Sequence, residues 1–142
     1  MKKTLIIAVV ACIVLGLVGC MSPAEKQAAQ AKKESDARVA EFKEYIEGAT
    51  FQSIYEGEAK NHTITFIDEK EAEYNRYGDI YVGCQYEVEE LTEFGNTFIS
   101  VHIKYWSEGG NKEENIWIDV KETQSGEQYL SATRGNFYKV VE

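Results

Sequence analysis

The second half of the chain alternates between apolar and polar positions, and this pattern predicts β-strands. Turn residues recur roughly every eight to fifteen positions from Ala49 onward. We expect strands at Thr50–Glu56, His62–Asp68, Glu71–Tyr77, Ile80–Glu89, Thr97–Trp106, Asn115–Glu122, Gln128–Thr133 and Phe137–Val141. Short connections between consecutive strands favour an all-β domain, a small antiparallel meander or up-and-down barrel of about eight strands.

One face of the middle strands is apolar. Because side chains alternate between the two faces of a strand, every second residue should point inward. The predicted inward residues are Ile64 and Phe66; Ile80, Val82, Cys84, Tyr86 and Val88; Ile99, Val101, Ile103 and Tyr105; and Ile116, Ile118 and Val120. A barrel of this size holds its own side chains or one small ligand, and with these bulky residues we expect a filled interior.

A glycine-free segment before the strands, from Ala24 to about Glu47, predicts a helix. Ser22 is a candidate cap, Pro23 suits the first helical position, and Gly48 is a natural end. Apolar residues at helical spacing appear only near the end of this segment: Val39, Phe42, Tyr45 and Ile46. The sequence therefore predicts a helical stalk whose first half is a spacer and whose last turns pack against the β domain.

The first nineteen residues have the pattern of a signal peptide. Lys2 and Lys3 give a positive start, and the uncharged stretch from Thr4 to Gly19 is mostly aliphatic. That stretch is shorter than the roughly 20 residues that a helix needs to cross a bilayer. A cleaved signal peptide is therefore favoured over a permanent membrane span.

The end of this segment, Leu17-Val18-Gly19-Cys20, resembles the lipobox of bacterial lipoproteins. The resemblance implies cleavage between Gly19 and Cys20 after the Cys20 thiol receives a diacylglyceryl group. It divides the chain into a signal peptide (1–19), a lipidated N-terminus with a helical stalk (20–47) and an antiparallel β domain (48–142). The domain would be lipid-anchored to the cell membrane or outer membrane, outside the cytoplasm. An ordinary signal peptide with a chance cysteine and a short uncleaved anchor are the alternatives.

Composition narrows the possible partners. The formal net charge is −9, with 24 acidic residues against 15 lysines and arginines. This excess of acids argues against nucleic acid as a partner and against attachment to anionic lipid through basic residues. Membrane residence would then depend on the covalent lipid at Cys20. Cys84 alone remains as a free thiol in the mature domain, which precludes an internal disulfide, and its place in an apolar run indicates a small buried side chain.

Four short segments of the β domain are similar to small lipocalin-like, calycin-type domains of bacterial lipoproteins. They are Gly48-Ala49-Thr50-Phe51, Thr63-Ile64-Thr65-Phe66-Ile67-Asp68, Gln85-Tyr86-Glu87-Val88, and the end of the chain from Tyr129-Leu130 to Asn136-Phe137-Tyr138-Lys139. This resemblance implies a barrel able to hold a small apolar ligand.

No catalytic motif is apparent, and we predict neither an enzyme, nor a cofactor, nor a metal site. His62 and His102 lie on different predicted strands without metal-ligand spacing. Acidic residues cluster at Glu87, Glu89, Glu90 and Glu93 and at Asp68, Glu69, Glu71 and Glu73, and these are expected to be solvated. A hydrolase acting on the envelope through acidic residues is an alternative, and it requires two close carboxylates, one with a raised pKa.

Aromatic residues outside the inward rows give the main indication of function. Tyr81, Phe98, Trp106 and Trp117 are predicted on neighbouring strands, with His102 between them, and form a possible binding surface. Alternatively, the helix covers this face, or the sheet is a sandwich with two buried faces. The prediction is a binding or interaction module for an envelope protein, an envelope polymer or a small apolar ligand. A structural envelope component is the other alternative.

Overall fold

A computed structural model describes residues 21–54, 62–107, 109–133 and 135–141. The helix is α1 (Pro23–Ile46), and the strands are β1 (Thr50–Ser53), β2 (His62–Phe66), β3 (Glu71–Arg76), β4 (Asp79–Glu93), β5 (Asn96–Ser107), β6 (Lys112–Glu122), β7 (Gln128–Ala132) and β8 (Gly135–Lys139). The predicted helix and all eight predicted strands are present, with ends that differ from the predicted ones by up to four residues; residues 55–56 of the first predicted strand lie outside the described residues. The predicted signal peptide and Cys20 lie outside the described residues.

The strands form a closed barrel in sequence order. Each strand pairs antiparallel with the next, and β1 also pairs with β8 through Phe51–Lys139, Gln52–Tyr138 and Ser53–Phe137. The predicted up-and-down barrel is therefore confirmed, and the sandwich alternative is wrong. Closure leaves neither β1 nor β8 as an open edge strand.

The chain forms two compact units, residues 1–37 and 38–142. In the first unit, α1 begins with a capping box: the Ser22 N–H donates to Glu25 Oε2 (2.6 Å), and the Glu25 N–H donates to Ser22 Oγ (3.3 Å). Ser22 is thus the cap that the sequence predicts. Among the described residues there is no helix with the length and apolar character needed to span a membrane.

The last turns of α1 belong to the barrel's own compact unit. Phe42 and Ile46 are buried in the core, and Val39 and Tyr45 pack partly buried against it, as predicted. Arg38 binds Glu90 on β4 with two hydrogen bonds, from Nε to Oε2 (2.5 Å) and from Nη2 to Oε1 (2.8 Å). The strands contribute the other large part of this core: Phe51, Ile64, Phe66, Ala72, Tyr74, Cys84, Tyr86, Val88, Val101, Ile103, Tyr105, Ile118, Leu130 and Phe137.

Strand β4 changes its side-chain phase at Gly83. Ala72 pairs with Cys84, whereas Tyr74 pairs with Tyr81, so β4 contains one extra residue between these pairs. Gly83 has φ +67°, in the left-handed region that glycine adopts without strain, and this accommodates the bulge. The extra residue reverses which side chains of β4 face the barrel interior.

The bulge overturns two predictions for the first half of β4. Ile80 and Val82 were expected to point inward, but both are exposed, Val82 by 73%. Tyr81 was expected on the outer aromatic face, but its ring packs against the rings of Tyr74 (6.0 Å between centroids) and Tyr105 (4.8 Å) on the inner side. The inward rows predicted for β2, β5, β6 and the second half of β4 are confirmed.

Candidate binding surface

The outer face of β5 carries most of the predicted surface residues. Ile99, Val101, Ile103 and Tyr105 point inward, so the alternate residues of β5 point outward. These positions are Phe98, His102, Lys104 and Trp106, which are at least partly exposed, and Ser100, which is buried and donates a hydrogen bond to the Ile118 carbonyl. The register places Glu87 of β4 and Trp117 of β6 on either side of His102.

His102 and Trp117 form a stacked pair at the centre of this face. Their ring centroids are 3.7 Å apart and their planes differ by 1°. His102 Nε2 also lies 2.8 Å from Asn115 Oδ1, which fixes the imidazole ring from the side. Trp117 is nevertheless 55% exposed. We refer to His102, Asn115 and Trp117 as the aromatic surface.

The other predicted residues lie farther away. Trp106 is 39% exposed on the same face, but it is four residues from His102, or roughly 13 Å along an extended strand. Phe98 is equally distant in the opposite direction, and it is half-buried opposite Leu91. With Tyr81 on the inner side, the structure brings together only His102 and Trp117 of the five predicted residues.

A polar groove of about 500 Å³ borders the His102 side of the pair. The β3–β4 ladder ends at the Glu71–Gln85 pair. Beyond that point, the β2–β3 turn and α1 line the space beside β4. We call this space the lysine groove; its polar lining consists of Lys43, Glu69, Lys70, Gln85, Glu87, His102 and Lys104.

The β2–β3 turn, which forms one wall of the groove, is fixed to β4. Asp68 Oδ1 accepts hydrogen bonds from the N–H groups of Lys70 and Glu71, both at 2.8 Å, and these lower the pKa of the Asp68 carboxyl. The Tyr86 hydroxyl donates to the Asp68 carbonyl (2.6 Å), and the Tyr86 N–H donates to the Lys70 carbonyl (2.9 Å). Burial, and secondarily the Asp68 charge, raises the pKa of Tyr86 to about 12.

A cavity of about 150 Å³ borders the Trp117 side. The ladder between β6 and β7 stops at Ile118–Ala132, so Trp117 lies just beyond its end. The cavity is lined mainly by inward side chains, including Ile64, Tyr74, Tyr105, Ile116 and Phe137. The filled interior predicted from the sequence is therefore wrong at this end of the barrel.

His62 also lines this cavity, although it is not among the inward residues predicted from the sequence. It is buried, its Nε2 lies 3.1 Å from the Tyr74 hydroxyl, and its ring packs edge-on against Phe137 at 4.6 Å. Its position two residues before Ile64, in an alternating strand, was the signal that it points inward.

The acidic side chains within the described ranges do not converge on an evident catalytic pair. Glu90 is expected from the sequence to be solvated, but its side chain is only 10% exposed and pairs with Arg38. Hydrogen bonds with Ser22 lower the pKa of the Glu25 carboxyl. Hydrogen bonds from the Lys70 and Glu71 N–H groups lower the pKa of the Asp68 carboxyl. A general acid needs a raised pKa instead.

Neither metal ligation nor a reactive thiol is indicated by the side chains that the structure describes. They contain no group of three or more His, Cys, Asp or Glu side chains placed to hold a metal. Cys84 is buried, as predicted, and burial raises the pKa of its thiol.

No model of a protein family matches the chain, and neither a curated protein nor a solved structure matches it significantly.

Replacing Tyr86 by Phe tests the attachment of the β2–β3 turn. The folded state holds the Tyr86 proton up to a pKa of about 12, against 10.0 for an ordinary tyrosine, so the contribution of Tyr86 to stability should decline as the pH rises from 10 to 12. Tyr86→Phe should lower the unfolding free energy by about 1 kcal/mol at neutral pH. Urea denaturation of both proteins should show that this difference shrinks across that pH window. A difference that stays constant would contradict the assignment.

Proposed function

We propose that this protein is a lipid-anchored envelope protein whose β-barrel binds a partner through the aromatic surface. The observation that carries the proposal is the exposed Trp117 ring, held against His102 between the lysine groove and the cavity. We propose a binding role without catalysis and without a cofactor.

The stacked pair has the properties of a binding centre. Trp side chains are enriched among the residues that dominate binding energy, because a rigid, large ring loses little conformational entropy when it is covered. Covering an exposed aromatic side chain contributes roughly 1.5–3 kcal/mol. Because Asn115 and Trp117 restrain the His102 ring, a partner would meet a surface that is already ordered.

The proposed location follows from the N-terminal sequence. Lipid on Cys20 would attach the protein to the cell membrane or the outer membrane and leave the barrel outside the cytoplasm. The partner would then be an envelope protein or an envelope polymer. The net charge of −9 supports a partner other than nucleic acid.

A second candidate is a lipocalin-like role for the barrel, in which the cavity holds a small apolar ligand. The cavity of about 150 Å³ and the aromatic and aliphatic part of its lining support this proposal, and His62, Glu114, Asn115 and Thr133 add polar groups to its wall. Apolar cavities of this size in proteins bind molecules as small as benzene. The ligand would therefore be of about the size of a single ring.

Replacing Cys20 by Ser should abolish lipidation of the full-length protein expressed in a bacterium. Mass spectrometry should find a diacylglyceryl group on the N-terminal Cys20 peptide of the wild type and of the control Cys84→Ala. The Cys20→Ser protein should lack it and should retain residues 1–19, because the proposed cleavage follows lipidation. Recovery of wild-type protein with residues 1–19 attached and an unmodified Cys20 would contradict the proposal.

Photo-crosslinking in living cells tests the aromatic surface. A photoreactive amino acid at Asp119, a partly exposed β6 residue two positions from Trp117 on the same face, should give a crosslinked product whose yield falls at least tenfold when Trp117→Ala is added, as expected for loss of a Trp hot spot of about 2 kcal/mol. The same photoreactive residue at Gln52, on the outer face of β1, is the control. Equal products at both positions, or a product insensitive to Trp117→Ala, would count against this surface.

Toluene is a suitable probe of the cavity. A saturating concentration should raise the melting temperature of the full chain, because a ligand that binds only the folded state stabilises it by mass action. Ala132→Leu, which adds volume at the cavity wall, should remove this rise, whereas Val120→Leu elsewhere in the barrel should preserve it. Unchanged melting of the wild type in toluene would sink the ligand proposal.

A further inference from the structure

Three lysines from three separate elements meet in the lysine groove. Lys43 comes from α1, Lys70 from the β2–β3 turn and Lys104 from β5. Within the described part of the chain, the ion pairs are Arg38–Glu90 and Lys112–Glu114, and none of the three lysines takes part in one. Three cationic side chains therefore line one groove, together with Glu69 and Glu87, in a protein whose net charge is −9.

The folding of the chain keeps these cations together. Lys43 and Lys104 are half-buried, and Lys70 lies in the turn that Asp68 and Tyr86 fix to β4. Like charges held in a groove repel one another, and a bound anion relieves that repulsion. Lysine ammonium groups serve as point charges for phosphate, whose several oxygens accept hydrogen bonds from different directions.

The other polar side chains of the groove do not suit inorganic phosphate, because two of them are carboxylates. Glu69 and Glu87 line it together with the lysines, and their carboxylates accept hydrogen bonds but repel anions. The Gln85 side chain can both donate and accept. Such a lining suits a molecule that carries an anionic group and also hydroxyl donors.

We propose that the lysine groove binds a phosphorylated polyol, such as a sugar phosphate unit, free or within a polymer. The lysines would hold the phosphate, and Glu69, Glu87 and Gln85 would hold the hydroxyl groups. The volume of about 500 Å³ suits a molecule of this size. His102 connects the groove to the aromatic surface, so this inference rests on the proposed binding function and names its ligand class.

A soluble or polymer-borne phosphate fits better than the headgroup of an anionic bilayer. The chain as a whole is strongly acidic, so a negatively charged membrane surface repels it. Glu69 and Glu87 are both exposed beside the lysines and would approach that surface with them.

Binding of glucose 1-phosphate to the full chain in neutral detergent tests the inference. NMR of the lysine ammonium groups should show shifts at Lys43, Lys70 and Lys104, and each Lys→Gln substitution should weaken binding by about two- to fivefold. Lys121→Gln removes the same charge from an exposed position on β6 outside the groove and should change nothing. Increasing salt should weaken binding.

Two further measurements identify the ligand class. Inorganic phosphate should bind more weakly than glucose 1-phosphate, and Glu87→Gln should reduce that preference. Neutral nanodiscs supplemented with phosphatidylglycerol should leave the lysine signals unshifted. A shift at the lysines in those discs, equal weakening by Lys121→Gln, or no detectable binding of glucose 1-phosphate would overturn the inference.

Failure of this inference can be distinguished from failure of the proposed function. If Trp117→Ala loses crosslinking but the lysines bind no phosphate, the proposed binding surface is supported and its proposed ligand class is rejected. Lysine-dependent binding of glucose 1-phosphate in a protein whose crosslinking does not depend on Trp117 would support the groove and reject the aromatic surface.

Discussion

The burial of the last turns of α1 is the contact on which the rest of the β unit depends. An up-and-down barrel pairs its strands completely, but it does not cover its ends. Phe42 and Ile46 bring the apolar face of the helix into the same core as Phe51 and Phe66. The Arg38–Glu90 pair prevents that packing from leaving a carboxylate buried without a countercharge. The same packing of α1 places Lys43 beside β4. The docked helix therefore contributes both to the core and to the lysine groove.

The glycine bulge of β4 has a comparable effect at the start of that strand. It turns the Tyr81 side chain towards the interior, where its ring packs against those of Tyr74 and Tyr105. Tyr74 and Tyr105 in turn line the cavity beside Trp117. A single extra residue thus removes Tyr81 from the outer surface and packs its ring against two of the rings that line the cavity.

The strands and the helix could be predicted because their signals are local. Alternation marked His62–Phe66 and the inward row of β5, and Ser22 and Gly48 marked the two ends of α1. The phase change at Gly83 was hidden because apolar residues occupy both phases around it, although a glycine within a strand is itself an indication of a bulge. The His102–Trp117 contact depends on the register of the β5–β6 hairpin, and the groove lysines come from distant parts of the chain. Their convergence follows from the tertiary structure and leaves no local pattern.

The placement of the tryptophans has an optical consequence. The chain contains two, and both lie exposed on the β5–β6 hairpin. Indole emission responds to the polarity of its surroundings, and here both indoles are already in contact with water in the folded state. Unfolding will therefore change the emission wavelength little, whereas any molecule that covers the hairpin will shift it towards the blue. The intrinsic fluorescence of this protein reports on occupancy of one face more than on folding.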